Sequence, residues 1–355
     1  MAQRARAAKW WAGGLVLLLL AAAGLLWSVC TAEMNRPSQA PAGTRIAVRP
    51  GASLRGVLSQ LAEAQVLEHP RLIELWLRLR GEQLRAKAGN FELPLHGSVQ
   101  QILAQLQAGQ VVLEQLTIVE GWTLAQMRQA IDASSVLVHE WRGRDSAALL
   151  AALGDRSDPG VSAEGRFYPD SYRFAAGTSD RHIYELAWQR MNERLQQEWS
   201  ARAPNLPLKT PTEALIMASI VERETAREDE RARVAAVFIN RLRIGMRLQS
   251  DPTVIYGLGA RYDGNLRRRD LETDGPYNSY TRGGLPPTPI ALPGGASLHA
   301  TLHPADEGVL YFVATGNGGG SHHFSTTYAE HSAALRAYLQ RIGASPDRAI
   351  GGNHP

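Results

Sequence analysis

The stretch TPTEALIMASIVERETAREDERARVAAVFINRLRIGMRLQSDPTVIYG, Thr210 to Gly257, decides how this chain is read. Thr210, Pro211 and Glu213 have the spacing of a helix start: an N-cap hydroxyl, a proline where its missing N–H costs nothing, and a capping-box glutamate. From Ala214 to Val221 only Ser219 is polar, so the helix is apolar nearly all round and is predicted to be buried. Glu222 follows directly. On helical spacing it shares a face with Leu215, Ala218 and Ser219, while Arg223, Glu224 and Arg227 gather on the opposite, solvated side. Glu222 is therefore expected to point into the interior or a cleft. Burial there disfavours the charged form and suits a carboxyl to hold a proton for general-acid work. A structural ion pair with an arginine fits the same spacing. Glu224 and Glu228, four apart on the wet side, are weaker candidates.

The next helix is predicted from about Glu230 to Gly245 on the face Val234, Val237, Phe238 and Leu242, with Asn240 and Arg241 near its C-terminal end. Asp251-Pro252 reads as the N-cap and first residue of a short helix. Gln249 and Asp251 are candidates for lining a cleft, and capping competes for Asp251. Arg261 to Gly295 is rich in Gly, Pro, Tyr and Asn and reads as a long ordered loop. Its Tyr277, Asn278 and Tyr280 supply stacking faces and hydrogen bonds, stiffened by Pro286, Pro287 and Pro289. Val309 to Ala314 reads as a strand, followed by a glycine-rich turn into His322, His323 and Phe324. No lysine follows those glycines, which excludes a phosphate loop. Adjacent histidines do not project to one side of a strand, and no Cys, His or Glu spacing completes a ligand set, so neither a metal nor a cofactor is expected.

Upstream, EGRFYPDSYRF (Glu164 to Phe174) offers Phe167, Tyr168 and Tyr172 as stacking surfaces. Asp170 follows Pro169 at a turn, where it binds substrate or satisfies the turn backbone. Val111 to Val119 reads as a strand ending at Glu120-Gly121-Trp122, and Thr123 caps a helix with Leu124, Met127 and Ile131 inward. Glu120 and Trp122 line a sugar cleft or simply form the strand-to-helix turn.

In 355 residues, 44% hydrophobic and 20% charged, there is room for two globular parts beyond the N-terminus. Arg4, Arg6 and Lys9 precede an uncharged run from Trp10 to Cys30, long enough to cross a bilayer, with Trp10, Trp11 and Trp27 at interfacial positions. This predicts an uncleaved single-pass anchor with residues 1–9 in the cytoplasm; a cleaved signal peptide is the runner-up. Cys30 is the single cysteine and allows no internal disulfide. Residues 31–44, with Pro37 and Pro41, read as a linker and 344–355 as a flexible tail. Residues 45–110 read as a small α+β module: a strand at Ile46 to Val48, a turn at Pro50-Gly51, helices capped by Ser53 and Ser98, a helix through Leu72, Leu75, Trp76 and Leu79, and a strand at Phe91 to Leu93. Residues 111–343 form the larger α+β part. A net charge of +4 with no basic run or stripe, behind a membrane anchor, excludes nucleic acid as a partner.

ASIVERET, VAAVFINRLRIGMRLQSDPTVIYGLG, YNSYTRGGLPPTPIALPG and GSHHFS resemble the YceG-like family of membrane-anchored endolytic murein transglycosylases. The resemblance runs from about Val119 to Leu339 and is looser upstream. It implies a lytic transglycosylase acting on peptidoglycan glycan strands outside the bacterial cytoplasmic membrane, with peptidoglycan synthases as partners. It assigns the catalytic role to the first glutamate of ASIVE-x-E, here Glu222. Gln249, Asp251, Tyr277, Asn278, Tyr280, Tyr168, Asp170 and His322 become candidate substrate-binding residues, with His322 binding glycan or shaping the cleft of Glu222. Residues 164–174 match the family's EG-x-x-PDTY stretch except that Ser171 replaces threonine. The module at 45–110 resembles the family's LysM-like domain, a glycan binder; a spacer holding the larger part off the membrane fits its composition equally. A non-catalytic wall-binding scaffold has no need of Glu222 on a cleft-facing position. A lysozyme-type hydrolase needs a second free carboxylate, and Asp251 and Asp170 look committed to cap or turn bonding.

Overall fold

A computed structural model describes residues 2–49, 51–82, 85–155 and 162–343, with side chains described from Trp11 onward except at 12 and 13. The N-terminal residues Arg4, Arg6, Lys9 and Trp10, half of the expected Pro50-Gly51 turn, and the tail at 344–355 therefore lie outside the described side chains or residues. The opening helix α1 (Ala2–Asn35) contains an apolar run, Gly14–Asn35, long enough to span a membrane. Its leucines at 15 and 17–20 are exposed. Its last turns are different: Cys30 and Met34, four apart on one face, are buried in the core of the first unit. Glu33 Oε1 accepts from the N–H groups of Glu68 (2.6 Å) and His69 (3.3 Å), at the start of a later helix. The expected linker is thus helical as far as Asn35 and partly buried beyond it. Ser38 and Ala40 are buried, and Ser38 N–H donates to Gly97 O at 2.9 Å.

Two units divide the chain, residues 1–115 with 173–178 and residues 116–172 with 179 onward. The first carries β1 (Arg45–Val48), α2 (Leu54–Glu63), α3 (Pro70–Leu79), β2 (Gly89–Glu92) and α4 (Val99–Ala108). β1 and β2 pair antiparallel, with Ile46 opposite Phe91. Ser53 caps α2 and a Ser98–Gln101 capping box starts α4, which Gly109 ends at φ +74°, the left-handed region that glycine enters without cost. The division of the chain falls within β3 (Leu113–Thr117) and β4 (Ser171–Ala175), which pair with each other.

The second unit adds α5 (Leu124–Ala133), α6 (Ser146–Ala152), α7 (Asp180–Ser200), α8 (Pro211–Glu224), α9 (Glu228–Arg243), α10 (Asp251–Leu258), α11 (Arg268–Glu272), α12 (Gly295–Leu302), β5 (Tyr311–Ala314), β6 (His322–Ser325) and α13 (Tyr328–Ile342). α8 is its centre, and every residue from Ala214 to Val221 is buried as its apolar run requires. Met217, Ile220 and Val221 pack with Val234, Val237 and Phe238 of α9, while Leu215 and Ala218 meet Met191 of α7 and Leu298 of α12. Thr210 caps α8 by accepting from Glu213 N–H at 3.2 Å, but Glu213 reaches back one residue further than a capping box, to Lys209 N–H at 2.6 Å. α9 carries Glu228, Asp229 and Glu230 in its first turn and Arg241 and Arg243 in its last, each sign facing the favourable end of the helix dipole. The region expected as loop from 261 to 295 contains α11, and α7, α12 and α13 are helices the sequence patterns did not single out.

Candidate active site

Two contacts seat α8 on the segment 290–294. Ser219, the one polar residue of the buried run, donates to Ile216 O (2.7 Å) and accepts from Ile290 N–H (3.0 Å). One turn on, Glu222 Oε2 accepts from Gly294 N–H at 2.9 Å. Residues 219 and 222 share the predicted face, and both use it to satisfy the backbone of the chain that enters α12. Gly294 is the N-cap of α12, so the half-buried carboxyl of Glu222 lies at the positive end of that helix dipole.

A second carboxyl reaches the same peptide. Gly121 N–H donates to Leu292 O (2.9 Å) and Leu292 N–H to Trp122 O (2.7 Å), which fixes the end of the 113–119 segment against 292–294. Arg223 Nη1 adds a bond to Gly121 O at 3.2 Å. Glu120 consequently lies on the bare Cα of Gly294, where a Cβ would come 1.9 Å from Glu120 Oε1. At Gly295 a Cβ would lie 2.7 Å from the Tyr168 hydroxyl. Two adjacent glycines thus admit Glu120 and Tyr168 beside Glu222. Partial burial raises the Glu120 pKa, the neighbouring Glu222 raises it further, and Arg231 opposes them. Behind this wall Glu164, fully buried, accepts from Leu124 N–H (2.8 Å) and from the Tyr256 hydroxyl (3.1 Å), and burial pushes its carboxyl up to about 7. Tyr256 meets Tyr277 edge-on at 4.9 Å, and the Tyr277 hydroxyl pairs with Thr288 Oγ1 at 2.8 Å.

The other side of the end of α8 corrects the sequence reading. Glu224 was expected in water with Arg223 and Arg227. Its carboxyl Oε1 is instead shut off from solvent and finds no hydrogen-bond partner among the described residues, although the residue as a whole is half-buried. Burial, then the charge of Asp251, pushes the Glu224 carboxyl up to about 8, opposed by Ser250, Arg241 and Arg223. Asp251 is 1% exposed and is the first residue of α10; the N-cap is Ser250, which supplies no side-chain cap. Asp251 Oδ1 instead accepts from the Tyr280 hydroxyl at 2.5 Å. Buried Arg241 donates to Leu248 O (2.5 Å) and Leu310 O (2.7 Å) close by. The physical reason for the correction is non-local: α10 and the loop carrying Tyr280 cover the face that α8 alone would leave wet.

The remaining candidates are placed in networks of their own. Gln249 is exposed at φ +51°, its N–H donating to Ser279 O at 3.1 Å. Asn278 is buried and spends its amide on the loop, donating to Asp270 O, Leu271 O and Thr273 O and accepting from Tyr280 N–H. Asp170 is exposed, ion-paired with Arg190, and accepts from Ser171 N–H at 2.6 Å. His322 Nδ1 lies 2.7 Å from Glu230 Oε2, and Glu230 also takes the His322 N–H. Among the described residues, three sets of groups have atoms within 4.8 Å of one another in the manner of metal ligands: Glu198 with His299 and His303, Glu33 with Glu68 and His69, and Asp132 with His139 and Asp180. The first is engaged internally, Glu198 with Arg194 (2.7 Å) and His299 (2.9 Å), and His303 Nε2 with Ala201 O (2.9 Å). The structure therefore gathers Tyr168 with Glu222, and Asp251 and Tyr280 with Glu224. Sequence reasoning left out Gly294, Gly295, Arg231 and the burial of Glu224; the adjacent glycines after Ile290 to Leu292 were the one local signal, a place where other groups approach backbone closely.

Residues 46–337 match the model of the YceG-like family. The endolytic murein transglycosylase of Bacillus subtilis (strain 168) is 30% identical over 305 residues, covering 81% of this chain and 83% of that protein. The endolytic murein transglycosylase of Streptococcus pneumoniae (strain D39) is 26% identical over 302 residues, 76% of this chain and 54% of that longer protein. The crystal structure of a YceG-like protein from Listeria monocytogenes superposes with a TM-score of 0.53 at 28% identity, covering 82% of this chain and 98% of that one. With its α+β fold, its apolar N-terminal helix and a match over most of its length, this chain belongs to the YceG-like family.

Proposed function

We propose that this chain is a membrane-anchored peptidoglycan lytic transglycosylase that cleaves the MurNAc-GlcNAc β-1,4 bond within glycan strands and leaves 1,6-anhydro-MurNAc ends. The observation that carries the reading is Glu222: a half-buried carboxyl held by Gly294 N–H at the start of α12, in a chain whose relatives are named endolytic murein transglycosylases. In this reading Glu222 protonates the glycosidic oxygen while the N-acetyl group of the muramoyl residue assists departure. The resulting carboxylate then takes the proton of the same sugar's C6 hydroxyl, whose oxygen closes on the anomeric carbon, so the glutamate ends the cycle as it began. In this reading Tyr168, whose hydroxyl lies beside Gly295, helps orient the sugar, an entropic advantage over attack by free water. α1 serves as a single-pass anchor whose leading Arg4, Arg6 and Lys9 keep the N-terminus in the cytoplasm, and the LysM-like module binds glycan. Cutting beside the membrane suits a role in ending nascent strands in company with peptidoglycan synthases.

One observation favours a second reading, hydrolysis of the same bond: Glu120, which the sequence offers as a cleft or turn residue, supplies a nearby carboxyl. Mass spectrometry of products from long purified strands, with and without borohydride, separates the two. Transglycosylation gives internal cuts and unreducible ends one water lighter than hydrolysis; reducible muramic ends overturn it.

A further inference from the structure

Glu120 and Glu222 approach one backbone unit from different sides. Glu222 Oε2 takes the Gly294 N–H at 2.9 Å, and Glu120 Oε1 fills the space where a Gly294 Cβ would be. With standard backbone dimensions their carboxyl oxygens are within about 7 Å of each other. Gly121, at φ +77°, turns the chain directly after Glu120, and a Cβ there would lie 3.8 Å from Glu222 Cγ. The charged groups facing Glu120 are Glu222 and, next to Gly121, Arg223 from α8, and Arg231 from α9. We infer that Glu120 is a positioning residue of the active site, a second carboxyl whose charge bears on Glu222 across the Gly294 backbone. The inference rests on the proposed role of Glu222.

A negative charge nearby favours the protonated form of a carboxyl. The direction found for Glu120, raised by burial and by Glu222, agrees with that geometry. The start of α12 supplies the positive end of a helix dipole, which offsets the negative charge gathered there. In the reaction the proton leaves Glu222 for the glycosidic oxygen and a proton returns from the C6 hydroxyl; Glu120 keeps its own state and is not consumed. Its negative charge helps the site retain the proton until substrate takes it.

The test uses the full chain in detergent with long glycan strands, measuring kcat and KM across pH for the wild type, Glu120→Gln and Glu120→Asp. Expected for Glu120→Gln is a fall in kcat of about tenfold or more, little change in KM, and an alkaline limb displaced about one pH unit downward, because the charge that retained the proton is gone. Glu120→Asp keeps the charge and returns the limb toward its wild-type position. An unchanged kcat and limb in Glu120→Gln overturns the inference, as does a lower kcat with an unmoved limb, which marks a merely structural role. Glu120 is exposed, and an unchanged thermal midpoint verifies that folding is not what fails. Glu222→Gln is run alongside: if it stays active, the underlying reading of Glu222 fails; if it is inactive while Glu120→Gln behaves as wild type, only the present inference does.

Discussion

Glu222 and Glu224 stand two residues apart at the end of α8 in opposite surroundings. Glu222 is half-buried, accepts a backbone N–H at a helix start and has Glu120 beside it. The Glu224 carboxyl is sealed among Asp251, Ser250 and Arg241 and is pushed up to about 8. If retention of a proton near neutral pH were the criterion, Glu224 would be the acid. The proposed role of Glu222 rests on access instead, because a general acid must come within hydrogen-bond reach of the atom it protonates. Glu222 lies on the wall shared by Glu120, Tyr168 and the 290–295 segment, whereas the Glu224 carboxyl is enclosed by its own neighbours. A perturbed carboxyl here marks a buried polar core as readily as a reaction centre.

The largest expected effect separates the two directly. Glu222→Gln keeps shape and the Gly294 contact but cannot cycle a proton, and turnover on glycan strands is expected to fall about 10²–10⁴-fold with folding intact. Glu224→Gln is expected to retain turnover within about tenfold of wild type, since amide replaces a carboxyl already held neutral. The reverse pattern breaks the comparison and moves catalysis to the Asp251 side.

Stability against pH probes the sealed side next. Glu224 holds its proton in the folded chain to about 8 and Glu164 to about 7, while the ordinary value is 4.5. Between those limits the folded state binds more protons than the unfolded one, so stability from these groups is complete below about 4.5 and is lost as pH rises. Each contributes a slope of up to about 1.4 kcal/mol per pH unit within its window. Glu224→Gln is expected to flatten the decline between about pH 5 and about pH 8 in urea unfolding. An unaltered slope means that the carboxyl titrates as if in water.

What local pattern carries was legible: the buried run of α8, the caps at Ser53, Ser98, Thr123 and Thr210, the face shared by Ser219 and Glu222. These follow from spacing along one helix. What escaped depends on chain distant in sequence. Glu224 looks solvated on a helical wheel until α10 and Tyr280 close over it. Glu120 meets Glu222 only because Gly121 and Trp122 exchange backbone bonds with Leu292. Residues 31–44 have the composition of a linker, yet Met34 is used by the first unit's core and Glu33 by the N-cap of α3. α12 begins at two glycines and has no side-chain cap, so no N-terminal signal announced it.

Tyr280→Phe sharpens the sealed side at an intermediate scale. It removes the donor at 2.5 Å from Asp251 Oδ1 and so takes one hydrogen bond from a 1% exposed side chain, which costs about 1 kcal/mol. Chemical unfolding measures the loss. A change under about 0.5 kcal/mol indicates that Asp251 is satisfied without Tyr280.

Asp170 sets the floor of the comparison, as a carboxylate outside both environments. Its side chain and that of Arg190 are each nearly half exposed, so their ion pair is screened by water and salt and is worth about 0–1 kcal/mol. Asp170→Asn keeps an oxygen for Ser171 N–H and leaves untouched the backbone bond from Ile118 N–H to Asp170 O at 2.9 Å. Stability is therefore expected to fall by less than about 1 kcal/mol, with most of the difference erased when salt is raised, and turnover to stay within about twofold of wild type. The same experiment carries information about the substrate groove. A carboxylate that binds sugar loses charge-assisted hydrogen bonds when amidated, which raises KM while barely affecting unfolding. A KM increase of about tenfold without a stability change would move Asp170 from a surface ion pair to the glycan path, and would extend that path from Glu222 past Tyr168 to the turn before β4.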